Sequence, residues 1–256
     1  GVENGRGTGG LVDVRLKRLR PERAGGEVDV NLVDAGAYVE APLGDRAAIA
    51  VAGRRSYIDG ILNAVVPGDA GVSLSTAPRY YDGQLLASYR PAPGHELTLF
   101  VFGSDDRLEV LFDNPADFDP ELRASDVTTS TSFYRTVVEH RFTPSEDVEN
   151  VFKTSAGRNW LYAGVGDQFF LDIDAYVAQI RDRLRVRLGD GFALAGGVDY
   201  VFTRSDTSIK FPLAAKEGEP GGKPELDVVR FSQVADRDFH NLGVFFEAEA
   251  RLLDRV

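Results

Sequence analysis

Apolar residues in this chain recur with a period of two, most clearly over Ala175–Leu188. Tyr176, Ala178, Ile180, Leu184, Val186 and Leu188 share one parity, broken by Asp182, while Gln179, Arg181, Arg183, Arg185 and Arg187 share the other. A helix would also align Ile180, Leu184 and Leu188. It would put Val186 on the polar side, however, so the spacing favours a strand. Beyond Gly189-Asp190-Gly191, the residues Phe192, Leu194, Gly196, Val198, Tyr200 and Phe202 alternate with Ala193, Ala195, Gly197 and Asp199. Further on, Leu242, Val244, Phe246, Ala248, Ala250 and Leu252 alternate with Asn241, Gly243, Phe245, Glu247, Glu249 and Arg251. Less regular strands are predicted over about 27–43, 47–58, 79–91, 95–103, 128–143 and 147–158. In the first of these the apolar parity changes near Leu32-Val33, as a bulge would make it. The pattern predicts about nine strands, all antiparallel.

The breaks between strands are of two kinds. Tight turn signals stand at Leu43-Gly44-Asp45-Arg46, Pro91-Ala92-Pro93-Gly94, Thr143-Pro144-Ser145-Glu146 and Leu188-Gly189-Asp190-Gly191. Longer polar stretches lie between them, roughly Asp59–Pro78, Ser104–Asp126, Ser155–Gln168 and Arg204–Asp236. Alternation of short turns with long loops puts every short turn at one end of an up-and-down meander. Outer-membrane barrels are laid out in that way, with short periplasmic turns and long extracellular loops.

Composition narrows the picture. With 256 residues and no Cys, the chain holds no disulfide framework and no thiolate site. Its net charge of −11 argues against a nucleic-acid partner. No apolar run approaches the ~18 residues of a membrane helix, which leaves a strand-built membrane barrel or a soluble β protein. The chain has no Met and opens on Gly1 without a basic-then-apolar leader, so it is expected to be processed or cut from a longer product. An odd strand count, with the last strand stopping where another short turn is due, predicts an unfinished barrel.

Arg181, Arg183, Arg185 and Arg187 constrain that reading. One Arg at a bilayer midplane costs about 2–4 kcal/mol, so four on a lipid face would consume the stability of a typical domain. In a membrane barrel this face must turn to a wet or protein-filled lumen. Glu247 and Glu249 share the inward parity two strands over, across the small residues Ala193, Ala195 and Gly197, and are placed to compensate the charge. On a soluble sheet the same row would be an ordinary solvated face.

Residues 5–59 carry a resemblance. Gly5-Arg6-Gly7-Thr8-Gly9-Gly10 leads into Leu11-Val12-Asp13-Val14-Arg15-Leu16-Lys17. A phosphate-cradling loop needs a strand before the glycines, a helix after them and a following Lys-Ser/Thr. Here strand-like alternation follows instead. The stretch resembles the end of the plug domain in TonB-dependent outer-membrane receptors, with Gly7, Gly9 and Gly10 in its plug-end motif. Val39-Glu40-Ala41-Pro42-Leu43-Gly44-Asp45, Ala48–Ala52 and Arg54-Arg55-Ser56-Tyr57-Ile58-Asp59 resemble the first barrel hairpin of that family.

The resemblance implies an all-β transmembrane barrel, in part, over 21–256, preceded by the last plug strand within 1–20. It implies outer-membrane lipid around the barrel, a TonB complex acting through a plug region absent here, and a scarce small-molecule nutrient, such as a siderophore, as ligand. Arg54, Arg55 and Tyr57 at a strand end are candidates for contact with plug or ligand, as are the four ladder arginines with Glu247 and Glu249. A surface strand end remains the plain alternative for the first three.

No other chemistry is strongly signalled, and no cofactor or catalytic residue is expected. His95, His140 and His240 are far apart in the chain, and none has a second ligand at helix or hairpin spacing. Asp113-Asn114-Pro115-Ala116-Asp117-Phe118-Asp119-Pro120 lacks the glycine and terminal Glu of an EF-hand loop and reads as a solvated acidic loop. Tyr80, Tyr81, Tyr89, Tyr134, Trp160, Tyr162 and Tyr200 fit either interfacial girdles or ordinary strand formers. Two further functions stay open: a passive or structural outer-membrane barrel, and a soluble β-sandwich binding module with its apolar faces buried.

Overall fold

The computed structural model describes residues 16, 18–58, 61, 76–110, 127–165, 169–189, 191–210 and 237–250. The described strands are β1 (Gly25–Val30), β2 (Asp34–Leu43), β3 (Ala47–Ser56), β4 (Thr76–Tyr89), β5 (His95–Val110), β6 (Val127–Ser145), β7 (Val148–Val165), β8 (Phe169–Arg187), β9 (Phe192–Lys210) and β10 (Arg237–Ala250). They form one antiparallel up-and-down sheet in which each strand pairs with its neighbours in sequence. β1 and β10 are its two edges and make no pair with each other, so the sheet is open among the described residues.

The tight turns fall where the sequence signals them. Gly44, Gly94 and Gly189 take positive φ of 71°, 75° and 93°, a region that side chains disfavour and glycine enters freely. The backbone N–H of Arg90 donates to Arg46 O at 2.8 Å, and that of Leu188 to Phe192 O at 2.8 Å, closing the neighbouring strand ends.

Two expectations change. Ten strands are described, not nine, because the parity change near Leu32-Val33 is a hairpin rather than a bulge. Asn31 makes that turn: its Oδ1 accepts the N–H groups of Val33 at 2.8 Å and Asp34 at 3.0 Å, and its own N–H donates to Asp34 O at 3.0 Å. The second change is length. β7 takes in most of the stretch Ser155–Gln168 expected to be a loop, β5 continues to Val110 and β9 to Lys210. In these extensions both faces carry polar residues, so the hydropathy alternation fades while the backbone ladder continues.

Register places like with like. Across β6, β7, β8 and β9, Val138 stands opposite Thr154, Thr154 opposite Ile180, and Ile180 opposite Tyr200, all on one face. With the exceptions of Tyr38, Leu108 and Phe239, every exposed large apolar side chain in a strand lies on this face, from Val28 through Leu99 and Ile180 to Val244 (78% exposed). Among the described residues no second layer covers it. The opposite face is polar, and all the best-buried strand side chains but Ser130 sit there: Ala48, Ala50, Ala193, Ala195, Asp34, Ser56 and Ser88.

The apolar face is apolar only for part of its height. On β8 it runs from Tyr176 to Val186 and then gives way to Asp174 and Asp172; on β9 it runs from Leu194 to Phe202 before Arg204 and Asp206. Beyond the band the charges are paired in the sheet. Arg158 donates twice to Asp174 (2.7 and 2.6 Å), and Arg204 twice to Asp238 (2.9 and 3.1 Å). Tyr81, Tyr134 and Tyr176 stand along the boundary, and Tyr134 covers the space left by Gly103, where a Cβ would come within 3.3 Å of the Tyr134 side chain. Tyr80 does not join them: its parity turns it to the polar face, opposite Asp106.

The segment before β1 crosses that polar face. Leu19 is buried against Ala48, Ala50 and Leu86, and its carbonyl accepts the Ser88 hydroxyl at 3.1 Å. Alanines at 48 and 50 leave the room that a larger pair would fill. Gly7, Gly9 and Gly10, expected to belong to a plug-end motif, lie outside the described residues.

Tight packing on β9 yields a prediction. A Cβ at Gly197 would stand 2.2 Å from Asp182 O and 2.7 Å from the Phe245 ring. Gly197→Val is therefore expected to destabilise the sheet by about 1–3 kcal/mol in denaturant unfolding, as overpacking does, with Gly25→Val, on an open edge, as the near-neutral comparison.

Candidate functional site

The polar face gathers most of the residues singled out in the sequence. On β8, Arg181, Arg183, Arg185 and Arg187 stand opposite Asp199, Gly197, Ala195 and Ala193 of β9. These small residues clear a path to β10. Arg185 reaches across it and donates to Glu249 Oε2 at 2.7 Å, while Glu247 shares the face opposite Ala195. The crossing explains why Ala193 and Ala195 are buried where no described layer covers the face. Arg187 turns the other way, to Asp147 Oδ1 at 3.2 Å and Glu146 O at 2.5 Å in the β6–β7 turn. Toward β6 the same face continues with Lys153–Glu139 at 2.8 Å and Arg141 between Glu149 at 2.8 Å and Glu139 at 3.1 Å.

A second cluster forms at the end of β2–β4 away from the tight turns. Arg54 Nε donates to Asp82 Oδ2 at 2.7 Å, and its Nη1 lies 3.8 Å from Asp34 Oδ2. The guanidinium also sits over the Tyr80 ring, 5.1 Å from its centre. The Tyr80 hydroxyl donates to Asp34, and the Asn31 amide donates to the other Asp34 oxygen at 2.6 Å. These two donors hold the Asp34 carboxyl below its ordinary range, with Arg54 adding to the effect against burial. Asp34 is level with Arg55 and Tyr81, beyond the apolar band. Ser56, fully buried, ties β3 to β4 by accepting the Tyr80 N–H at 2.8 Å.

Alternation separates the first three candidates. Arg54 belongs to this cluster, but Arg55 points to the opposite face and lies over Tyr81 at 5.3 Å. Tyr57 follows β3, and its hydroxyl donates to Asn31 O at the β1–β2 turn. It supports the hairpin beside the cluster. Asp34 and Asp82 were not singled out, and Tyr80 was read only as a girdle residue or strand former, since only the register of β2, β3 and β4 brings them to Arg54.

The histidines also differ from expectation. His95 Nδ1 and His140 Nε2 lie 3.1 Å apart on the apolar face near the tight turns, joined by the β5–β6 pairing. His240 Nδ1 lies 2.6 Å from the Tyr200 hydroxyl. Sequence spacing hides the first pair because the register cannot be read across residues 111–126. Among the described residues no three His, Asp or Glu converge as a metal-binding group.

Chemically the face offers fixed, mostly paired charges and hydrogen-bonding groups, which suit the recognition of a polar molecule or of another protein segment. Comparison with models of known protein families, with curated proteins and with solved structures gives no match in any of the three.

The Arg185–Glu249 bridge joins side chains that are 45% and 57% exposed. A double-mutant cycle with Arg185→Gln and Glu249→Gln is expected to give a coupling of only about 0.2–1 kcal/mol, shrinking as salt is raised. A coupling well above that range and indifferent to salt would mean that the face is covered and dry.

Proposed function

We propose that this chain forms part of the wall of a bacterial outer-membrane β-barrel receptor, with its apolar face toward lipid and its polar face toward the lumen. The observation that carries this reading is the inverted burial. Large apolar side chains are exposed on one continuous face, and most of the best-buried strand residues lie among the charges of the other. A soluble sandwich would need a second layer over the apolar face.

The height of the band supports the same reading. Tyr176 to Val186 spans ten residue steps on β8, about 33 Å along the strand. A strand tilt of 35–45° reduces this to about 23–27 Å, matching the ~25 Å apolar belt of such barrels. The tyrosines at its edge and the paired charges beyond suit an interface. One carboxylate lies inside the band: Asp182, which accepts the Asn150 amide at 2.8 Å.

A plugged receptor is favoured over a passive barrel by the segment around Leu19, which lies on the polar face as a chain descending from a plug would. The uptake step rests on the resemblance of residues 5–59 alone. On that basis residues 1–20 end the plug, the ligand is a scarce nutrient of siderophore type, and a TonB complex supplies the energy through the rest of the plug.

Adjacent residues on opposite faces test the orientation. In lipid vesicles, Ile180→Arg is expected to cost about 2–4 kcal/mol of folding stability, and Gln179→Arg much less. Asp182→Leu is expected to raise stability by removing a polar group from the lipid-facing band. Equal effects of the two arginines, with no partition of the wild-type chain into detergent or lipid, would remove the membrane assignment.

A further inference from the structure

The end of the polar face nearest the tight turns holds a cleft of about 410 Å³, between the segment at Arg18–Arg20 and the ends of β3–β6. Such a volume lies in the ordinary range of small-molecule sites. Arg18, Arg20, Arg46, Arg90 and Arg141 line it, with Glu96 as the carboxylate. In a chain of net charge −11 this concentration of guanidinium groups is unusual.

The existing partners do not use these charges up. Arg141 is neutralised by Glu139 and Glu149. Arg18 and Arg20 share the single carboxylate of Glu96 at 3.9 and 3.7 Å, too long for strong ion pairs. Among the described residues Arg46 donates only to a neutral carbonyl, Pro91 O, at 3.2 Å. Arg90 Nη1 is buried and has no hydrogen-bond partner among the described residues. Among the described residues, four guanidinium groups therefore face one carboxylate, and one of their N–H donors is withdrawn from water with no acceptor. A buried donor in that condition is costly unless an acceptor arrives.

We infer that this cleft is a binding site for a small polyanion bearing phosphate or carboxylate groups, with Arg90 and Arg46 as its principal donors. The fork of a guanidinium matches the paired oxygens of either group, and several forks around one cleft favour a ligand with more than one negative charge. The site depends on the fold alone and stands apart from the membrane reading.

Calorimetric titration of the full folded chain with pyrophosphate, and separately with citrate, tests it. Saturable one-to-one binding of at least one probe is expected at low salt, weakening as salt rises. Preference for pyrophosphate assigns a phosphate ligand, and preference for citrate a polycarboxylate. Arg90→Gln and Arg46→Gln should each weaken binding by about 10- to 100-fold, the loss of one charged hydrogen bond. Arg107→Gln, outside the cleft, should leave it unchanged. Arg46 belongs to the exposed turn before β3, so its variant keeps the test decisive if Arg90→Gln fails to fold. Absence of saturable binding of both probes at millimolar concentration, or binding that Arg46→Gln leaves intact, overturns the assignment.

Discussion

The sheet depends on its register. In an antiparallel pair, residues directly opposite one another point to the same side, so each hairpin passes the assignment of faces to the next strand. Through nine successive pairings the apolar parity of β1 is carried to β10 without inversion. A slip of one residue at a hairpin would turn every later strand over, and between β5 and β8 it would place the arginines of β8 among the leucines of β5. The positive-φ glycines at 44, 94 and 189 therefore set more than local turns. The two irregularities of pairing, between Thr76 and Arg79 and between Phe142 and Ser145, lie at strand ends, where the apolar band has already stopped or is closing.

With the faces fixed, side-chain size decides what the polar face can hold. β9 presents Ala193, Ala195 and Gly197 beneath the reach of Arg185, and β3 presents Ala48 and Ala50 beneath Leu19. In both places a strand without bulk lets something lie across it: a salt bridge in one case, a chain segment in the other. Larger residues would push the Arg185–Glu249 contact apart and lift the segment off the sheet. The charged rows also hold neighbouring strands in register, though each exposed pair contributes little by itself.

Much of this was legible in the sequence, for a physical reason. Where one face is apolar and the other charged, as in Ala175–Leu188 and Phe192–Phe202, period-two alternation reports the strand and its orientation together. That Glu247 and Glu249 share the face of the arginine row could be anticipated from parity, but the particular Arg185–Glu249 pair could not, because β10 is reached from β9 across residues 211–236. Legibility failed where hydropathy and backbone part company. β7 runs on past Ser155 with Arg158 and Trp160 on the face that is apolar lower down, so the ladder continues after the pattern fades. The β1–β2 hairpin turns on one Asn side chain, which left only a parity change as its trace. Contacts set by register across a long connection, such as His95 with His140 or Arg54 with Asp82, have no local signature at all.

The open edges have a consequence for the chain's behaviour. β1 is short and carries Glu27 and Asp29, features that discourage a stray strand from pairing with it. β10 is unlike it: fourteen residues long, with Leu242, Val244 and Phe246 exposed on one side and its outer row of N–H and C=O groups without a described strand beside it. An edge of that length is a template for strand addition. A strand paired with it would act as a protecting group as well as an extension of the sheet. Where that strand is missing, a second copy of β10 is well matched to take its place, and self-association should begin at this edge.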